Sequence, residues 1–369
     1  MKKIIFLILS VCITFVFALS GCSCAADAYL EFENALTNNV KTEKLVFDVE
    51  YEDSYKGISF AQSVNKSLLP QYENGKLVLE YNASGTALPK KPGEDVQVPQ
   101  HVKFDSITTF NYIKSVFSID VVFNKNTEDE KIYNDKIISE VYFYDAEWAY
   151  APVYSKTTVK NTYIEINSNK LNTDQTIYEY TTLYKNEKFT LTKKYYKPDE
   201  NEKINDVEIE NPEQYYYDKL KSLAGDGKSY EYELRKVIDN VQLIFAARNL
   251  NIKKGNSTTI PTITYMYNEP KDLIIKNHSE SSLTRTLDYN GSGEVELDIP
   301  IKNLLIGITG TDHVGSTKYL TLQKDKVGDI ENYALPIEYA ESIFIFENGS
   351  FSTIGALVYK LNKVDITTK

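Results

Sequence analysis

The chain has 369 residues, with 52 acidic against 41 basic side chains and a formal net charge of −11, and 42% of it is hydrophobic. That sign of charge argues against nucleic acid and against direct adhesion to anionic lipid head groups. All three cysteines lie within the first 24 residues, so no disulfide can staple the body, and a buried core has to hold it together.

The N-terminus opens with Lys2 and Lys3, followed by an apolar run over 4–19 broken only by Ser10 and Thr14, then by Ser20 and Gly21. This is the layout of a signal peptide, and the run is shorter than the roughly 20 apolar residues of a membrane span. Leu19, Ser20, Gly21 and Cys22 resemble the lipobox of bacterial lipoproteins. The resemblance implies that the first three residues are read by the signal peptidase, that residues 1–21 are removed, and that Cys22 carries a thioether-linked diacylglycerol. Two acyl chains on one residue suffice for stable anchoring. The expected address is the outer face of the bacterial cytoplasmic membrane, with residues 22–24 as the lipidated N-terminus.

From 25 to 38, Ala28, Phe32 and Ala35 or Leu36 recur at spacings of three and four and predict a short helix. Strand patterns follow at 45–51, 76–81, 116–123, 137–150, 157–166 and 176–196, with hairpin-type turns expected at Asn74-Gly75 and Asn348-Gly349. Residues 82–100 read as a Pro- and Gly-rich loop, and 197–213 as an acidic linker leading into a short helix begun by Asn211 and Pro212. Ser229 is a suitable N-cap, and Leu234, Val237, Ile238, Val241, Ile244 and Phe245 then follow one face, which predicts an amphipathic helix whose stripe faces the core or a ligand. Further strands are expected at 260–267, 271–276, 293–309, 317–323, 334–346 and 351–360. Within them, residues 294–299 alternate acid and aliphatic, the mark of a sheet with one wet and one buried face.

Chemistry-bearing motifs are sparse. HExxH and GxSxG are absent, and the histidines at 101, 278 and 313 stand apart with no cysteine partners. The glycine-rich stretch 307–317 lacks the Gly-Lys-Ser/Thr ending of a phosphate loop, and Glu128-Asp129-Glu130 lacks the spacing of a calcium loop. No metal, cofactor or catalytic residue is expected, and the chain reads as a non-enzymatic protein.

These elements add up to an α+β class with mostly antiparallel, curved, half-barrel-like sheets, an N-terminal helix and one amphipathic helix packed on the sheet. The regions are 25–210 and 211–369, joined or not into one half-barrel. Residues 239–250 and the strands after them resemble the helix-then-strands half of exported proteins with a lipoprotein-carrier-like half-barrel, over at most 229–362. That resemblance implies an open curved sheet that wraps a helix and encloses an acyl chain. Two functions are thereby expected: binding a hydrophobic ligand such as a lipid, or serving as a scaffold for an envelope protein. In both, the membrane is met through covalent lipid.

Overall fold

Runs rich in Val, Ile, Thr, Tyr and Phe, with side chains alternating between two faces, satisfy their backbone polar groups by pairing side by side. The computed structural model is accordingly built from strands. It describes residues 40–56, 58–59, 64–86, 110–143, 152–168, 170–185, 188–196, 228–231, 237–263, 271–308 and 318–368, within a unit that runs from Phe32 to Lys369.

The first half of the chain supplies β1 (Val40–Glu52), β2 (Ser54–Tyr55), β3 (Ile58–Ser59), β4 (Gln71–Thr86), β5 (Phe110–Phe123), β6 (Lys131–Phe143), β7 (Pro152–Asn167), β8 (Lys170–Lys185) and β9 (Lys188–Tyr196). The second half supplies β10 (Lys228–Glu231), β11 (Ile238–Asp239), β12 (Ser257–Ile263), β13 (Lys271–Tyr289), β14 (Glu294–Ile308), β15 (Lys318–Gln323), β16 (Pro336–Glu347) and β17 (Ser350–Thr368). Apart from the small β2–β3 hairpin, these strands form one 15-stranded sheet in the order β10-β9-β8-β7-β6-β5-β4-β1-β17-β16-β15-β14-β13-β12-β11. Its centre is the antiparallel β1–β17 pair, from which each half meanders outward.

Two short parallel pairings bring the sheet back on itself. Phe346 and Glu347 of β16 pair with Glu165 and Ile166 of β7, on the edge that β6 leaves after Lys160. In the same way Asp288 and Tyr289 of β13 pair with Lys363 and Val364 of β17, on the edge that β16 leaves after Lys360. The pairings therefore run in a closed circuit through β7, β6, β5, β4, β1, β17 and β16, and in a second through β17, β16, β15, β14 and β13. The β16–β17 hairpin belongs to both.

On the convex face of the larger circuit, directly paired positions carry Asp365, Lys44, Glu80, Lys114, Glu140 and Lys156, alternating in sign strand after strand. Each such pair contributes roughly 0.2–1 kcal/mol. Their larger effect is on register, because a one-residue slip would turn all of these charges toward the apolar interior.

The structure corrects the α+β expectation: the described residues are all-β, with a single short α-helix, α1 (Leu243–Arg248). The expected N-terminal helix at 25–38 and the short helix after Asn211 lie outside the described residues. The predicted amphipathic helix from Ser229 is replaced by β10, by β11 and by a 3-10 turn at Asn240–Gln242 that leads into α1. Helical order starts late because Asp239 is the real cap. Its side chain accepts from the Val241 N–H, while the Gln242 side chain accepts from the Asp239 N–H, a complete capping box. Before it, β-branched Val237 and Ile238 favour an extended backbone, and Ile238 pairs in parallel with Thr262 of β12. Asn348-Gly349 is the turn expected, with both residues at positive φ. Asn74-Gly75 is instead a bulge inside β4, where pairing with β5 slips between Glu73 and Lys76.

Helix α1 is fixed to the sheet by Arg248, whose side chain is fully buried together with that of Glu43 on β1. The pair is bidentate, at 2.6 and 2.8 Å, and Arg248 also donates to the backbone oxygens of Ala334 and Tyr333, each at 3.0 Å. Removing one member of such a pair leaves an uncompensated charge and costs about 3–5 kcal/mol, whereas replacing both by apolar groups is often neutral. Glu43→Gln is therefore expected to lower unfolding stability by that amount in a urea titration, and the Glu43→Met/Arg248→Met double variant to recover most of the loss.

Candidate functional site

Successive side chains on a strand point to opposite faces, so β16 and β17 present different residues to the two circuits. Ile337, Tyr339, Glu341, Leu357, Tyr359 and Leu361 face the larger interior, whereas Glu338, Ala340, Ala356, Val358 and Lys360 face the smaller one. The curvature is visible in contacts between strands that are not neighbours. Phe117 of β5 and Tyr359 of β17 have ring centroids 5.9 Å apart, although three strand spacings, roughly 14 Å on a flat sheet, separate them.

The larger interior is filled at both ends. At the end where β1 begins, Phe245 of α1 packs on Tyr81 (6.0 Å between centroids), and Tyr81 on Phe143 (6.5 Å). Beside them Asp239 accepts from the hydroxyls of Ser155 (2.5 Å) and Tyr184 (2.7 Å), all three buried. Burial pushes its carboxyl up, and these donors oppose the shift. At the other end Tyr51 stacks on Tyr72 at 5.3 Å. Asp135 points inward there and accepts from the N–H (2.8 Å) and hydroxyl (2.7 Å) of Thr162. Burial raises its carboxyl to about 6.

Between the two plugs the cover is incomplete. Ile113 and Ile119 on β5 are buried, but Ser115 and Phe117 between them, Ile137 on β6 and Tyr178 on β8 are only half-buried although they face inward. Across from them lies a polar group in an otherwise apolar wall. Glu341 accepts from Lys318 (2.8 Å), Tyr339 (3.1 Å) and Tyr359 (2.6 Å). About a third of each side chain of this pair stays uncovered, 29% for Lys318 and 31% for Glu341. Burial works against both charges, but each outweighs it for the other: the lysine is held above its usual range and the glutamate below.

The smaller interior is lined with apolar Leu287, Ile299 and Ile301 and has its own polar cluster. Glu338 is held by Arg285 of β13 at 2.6 Å, by Lys56 at 3.1 Å and by the Tyr55 hydroxyl. Lys56 also donates to Thr321 (3.2 Å), which donates to Asn303 (2.9 Å). The β2–β3 hairpin carries Tyr55 and Lys56, and it is seated by Ile58 against Ala340, Ala356 and Val358.

Of the stripe predicted from sequence, Val237, Ile238 and Phe245 are buried, Val241 and Ile244 are half-buried, and Leu234 lies outside the described residues, as do Leu19, Ser20, Gly21 and Cys22. His278 is exposed on β13, His101 and His313 lie outside, and no group of His, Cys, Asp or Glu among the described residues is placed to hold a metal. Sequence reasoning missed both polar clusters. Their signal is a carboxylate set inside an apolar strand pattern, since buried acids occur only with partners.

A carboxylate whose pKa is raised by folding binds its proton more tightly in the native state, so stability falls as pH rises through the interval between the unfolded and folded values. For Asp135 that interval runs from about 4 to about 6. Asp135→Asn is expected to remove that decline, so that its thermal midpoint relative to wild type is higher at pH 7 than at pH 4; a constant difference across the range would contradict the assignment.

No family model matches the chain, and no curated protein matches it. Among solved structures it is similar to a β-barrel-like protein of a domain of unknown function, DUF1849, from Brucella abortus, at 11% identity, with 89% of this chain and 98% of that one covered and a TM-score of 0.42.

Proposed function

We propose that this chain is a lipid-anchored extracytoplasmic protein that holds a hydrophobic ligand, such as a lipid, inside the larger circuit and does no chemistry on it. The observation that carries the reading is the half-covered inward surface of Ser115, Phe117, Ile137 and Tyr178, enclosed between filled ends. A ligand site of this kind is mostly apolar with a few placed polar groups. Lys318 and Glu341, with the hydroxyls of Tyr339 and Tyr359, supply those groups at the edge of the aromatic surface. Anchoring rests on the Leu19–Cys22 pattern, and it would keep such a site close to the bilayer from which an acyl chain comes.

The filling of both ends supports a second reading, in which the sheet is a scaffold for an envelope partner and the interior serves packing alone. Native mass spectrometry of protein purified from a membrane-containing lysate separates the two. The ligand reading expects a discrete extra mass of lipid size that disappears on denaturation and is reduced in Phe117→Trp, which narrows the interior. A bare polypeptide mass overturns it in favour of the scaffold. Cys22→Ala is expected to move the protein from the membrane to the soluble fraction.

A further inference from the structure

The sequence has three arginines, at 235, 248 and 285, and two of them are described. Their contrast is informative. Arg248 meets its carboxylate with two parallel N–H···O bonds, and its Nε donates as well. Arg285 gives Glu338 a single N–H, from Nη2, and its Nε is buried with no acceptor within reach. A buried guanidinium N–H without a partner is destabilising, and native structures supply such groups with an acceptor, a water or an ion.

The surroundings are rich in donors. One carboxylate, Glu338, receives Arg285, Lys56 and the Tyr55 hydroxyl. Two further carboxylates stand nearby, Glu50 and Glu52, and both are engaged by Lys360. Lys56 approaches from a hairpin turn at the rim, and 36% of its side chain is uncovered. Burial first, and then the nearby guanidinium, bring its ammonium down to about 8, against the opposing effect of Glu52.

We propose that Arg285 and Lys56 form a binding site in the smaller circuit for an oxyanion, the carboxylate or phosphate group of a small ligand, which takes the unused N–H groups of the guanidinium together with the Lys56 ammonium. The planar fork of arginine matches such groups two bonds at a time. The site is separate from the larger interior, since Glu338 and Tyr339 lie on opposite faces of β16, so it stands whether or not a lipid occupies the other side.

The test is thermal unfolding and calorimetric titration of the purified protein at pH 7 with inorganic phosphate, acetate and dihexanoyl phosphatidic acid, against sodium chloride at matched ionic strength. A saturable rise in the midpoint with phosphate or acetate, absent with chloride and weakened at least tenfold in Arg285→Gln and in Lys56→Gln, is the expected result. Lys56→Gln changes a partly exposed turn residue and keeps the test open should Arg285→Gln fail to fold. Binding that is tenfold tighter for the diacyl phosphate than for phosphate identifies a head group as the source of the anion, and equal binding identifies a free anion. A response no larger than that of chloride, or one unchanged in Lys56→Gln, overturns the proposal.

Discussion

The alternation of side chains along β16 and β17 is the constraint on which the other features depend. A strand with one wet face can drift in composition on that side. These two strands each have a stretch with no wet face, because the residues of either parity are buried from Pro336 to Ala340 on one and from Ile354 to Tyr359 on the other. Each interior can therefore be shaped by its own set of residues on a shared wall. The pleat keeps the aromatic and Glu341 set apart from the Glu338 set at the distance of a single backbone. The small residues Ala340 and Ala356 on the narrower side leave room for the β2–β3 hairpin, while tyrosines take the wider side.

Two glycines make the curvature sterically feasible. A Cβ at Gly75 would stand 2.5 Å from the Val49 oxygen, so the bulge in β4 can press against β1 only without a side chain. Gly355 has φ +140 and lies where a Cβ would be 2.6 Å from the Glu52 oxygen, next to the register shift between Ile343 and Phe344. That bend carries β17 out of its hairpin with β16 and across to β1. The ionic groups divide by the same logic of space. Arg248 and Glu43 saturate each other and act as a fastener, whereas Arg285 and Lys318 keep capacity or surface uncommitted, which is what a residue needs if it is to meet something other than its own chain.

Much of the strand pattern was legible. The stretches at 45–51, 76–81, 116–123 and 157–166 all fall within strands, because period-two burial is written directly into residue type. In β14, Glu296 and Asp298 are exposed and Ile299 is buried, as alternation requires, but Val295 is 49% exposed near the hairpin tip, beyond the reach of the core. The helix from Ser229 misled for a physical reason. Spacing of three and four among Val237, Ile238, Val241 and Phe245 fits a helical face, yet β-branched residues ahead of an Asp cap also suit a strand that hands over to a helix. The closures have no local signal at all. The parallel returns of β16 to β7 and of β13 to β17 join residues far apart in sequence, and Glu338 meets Arg285 of β13 and Lys56 of the β2–β3 hairpin across strands that are not its neighbours.

The central β1–β17 pairing has a bearing on the order in which the protein folds. Val40 is matched with Thr368, and Leu45 with Val364, so the first described strand finds one of its two neighbours only among the last described residues. Until that pair forms, each half is a meander without its keystone, with apolar faces that nothing yet covers. Contacts of such sequence separation form slowly, and during that delay a chain is open to aggregation. Closure of this sheet through its middle is thus tied to the meeting of two strands from opposite ends of the described chain, and everything between them waits on that encounter.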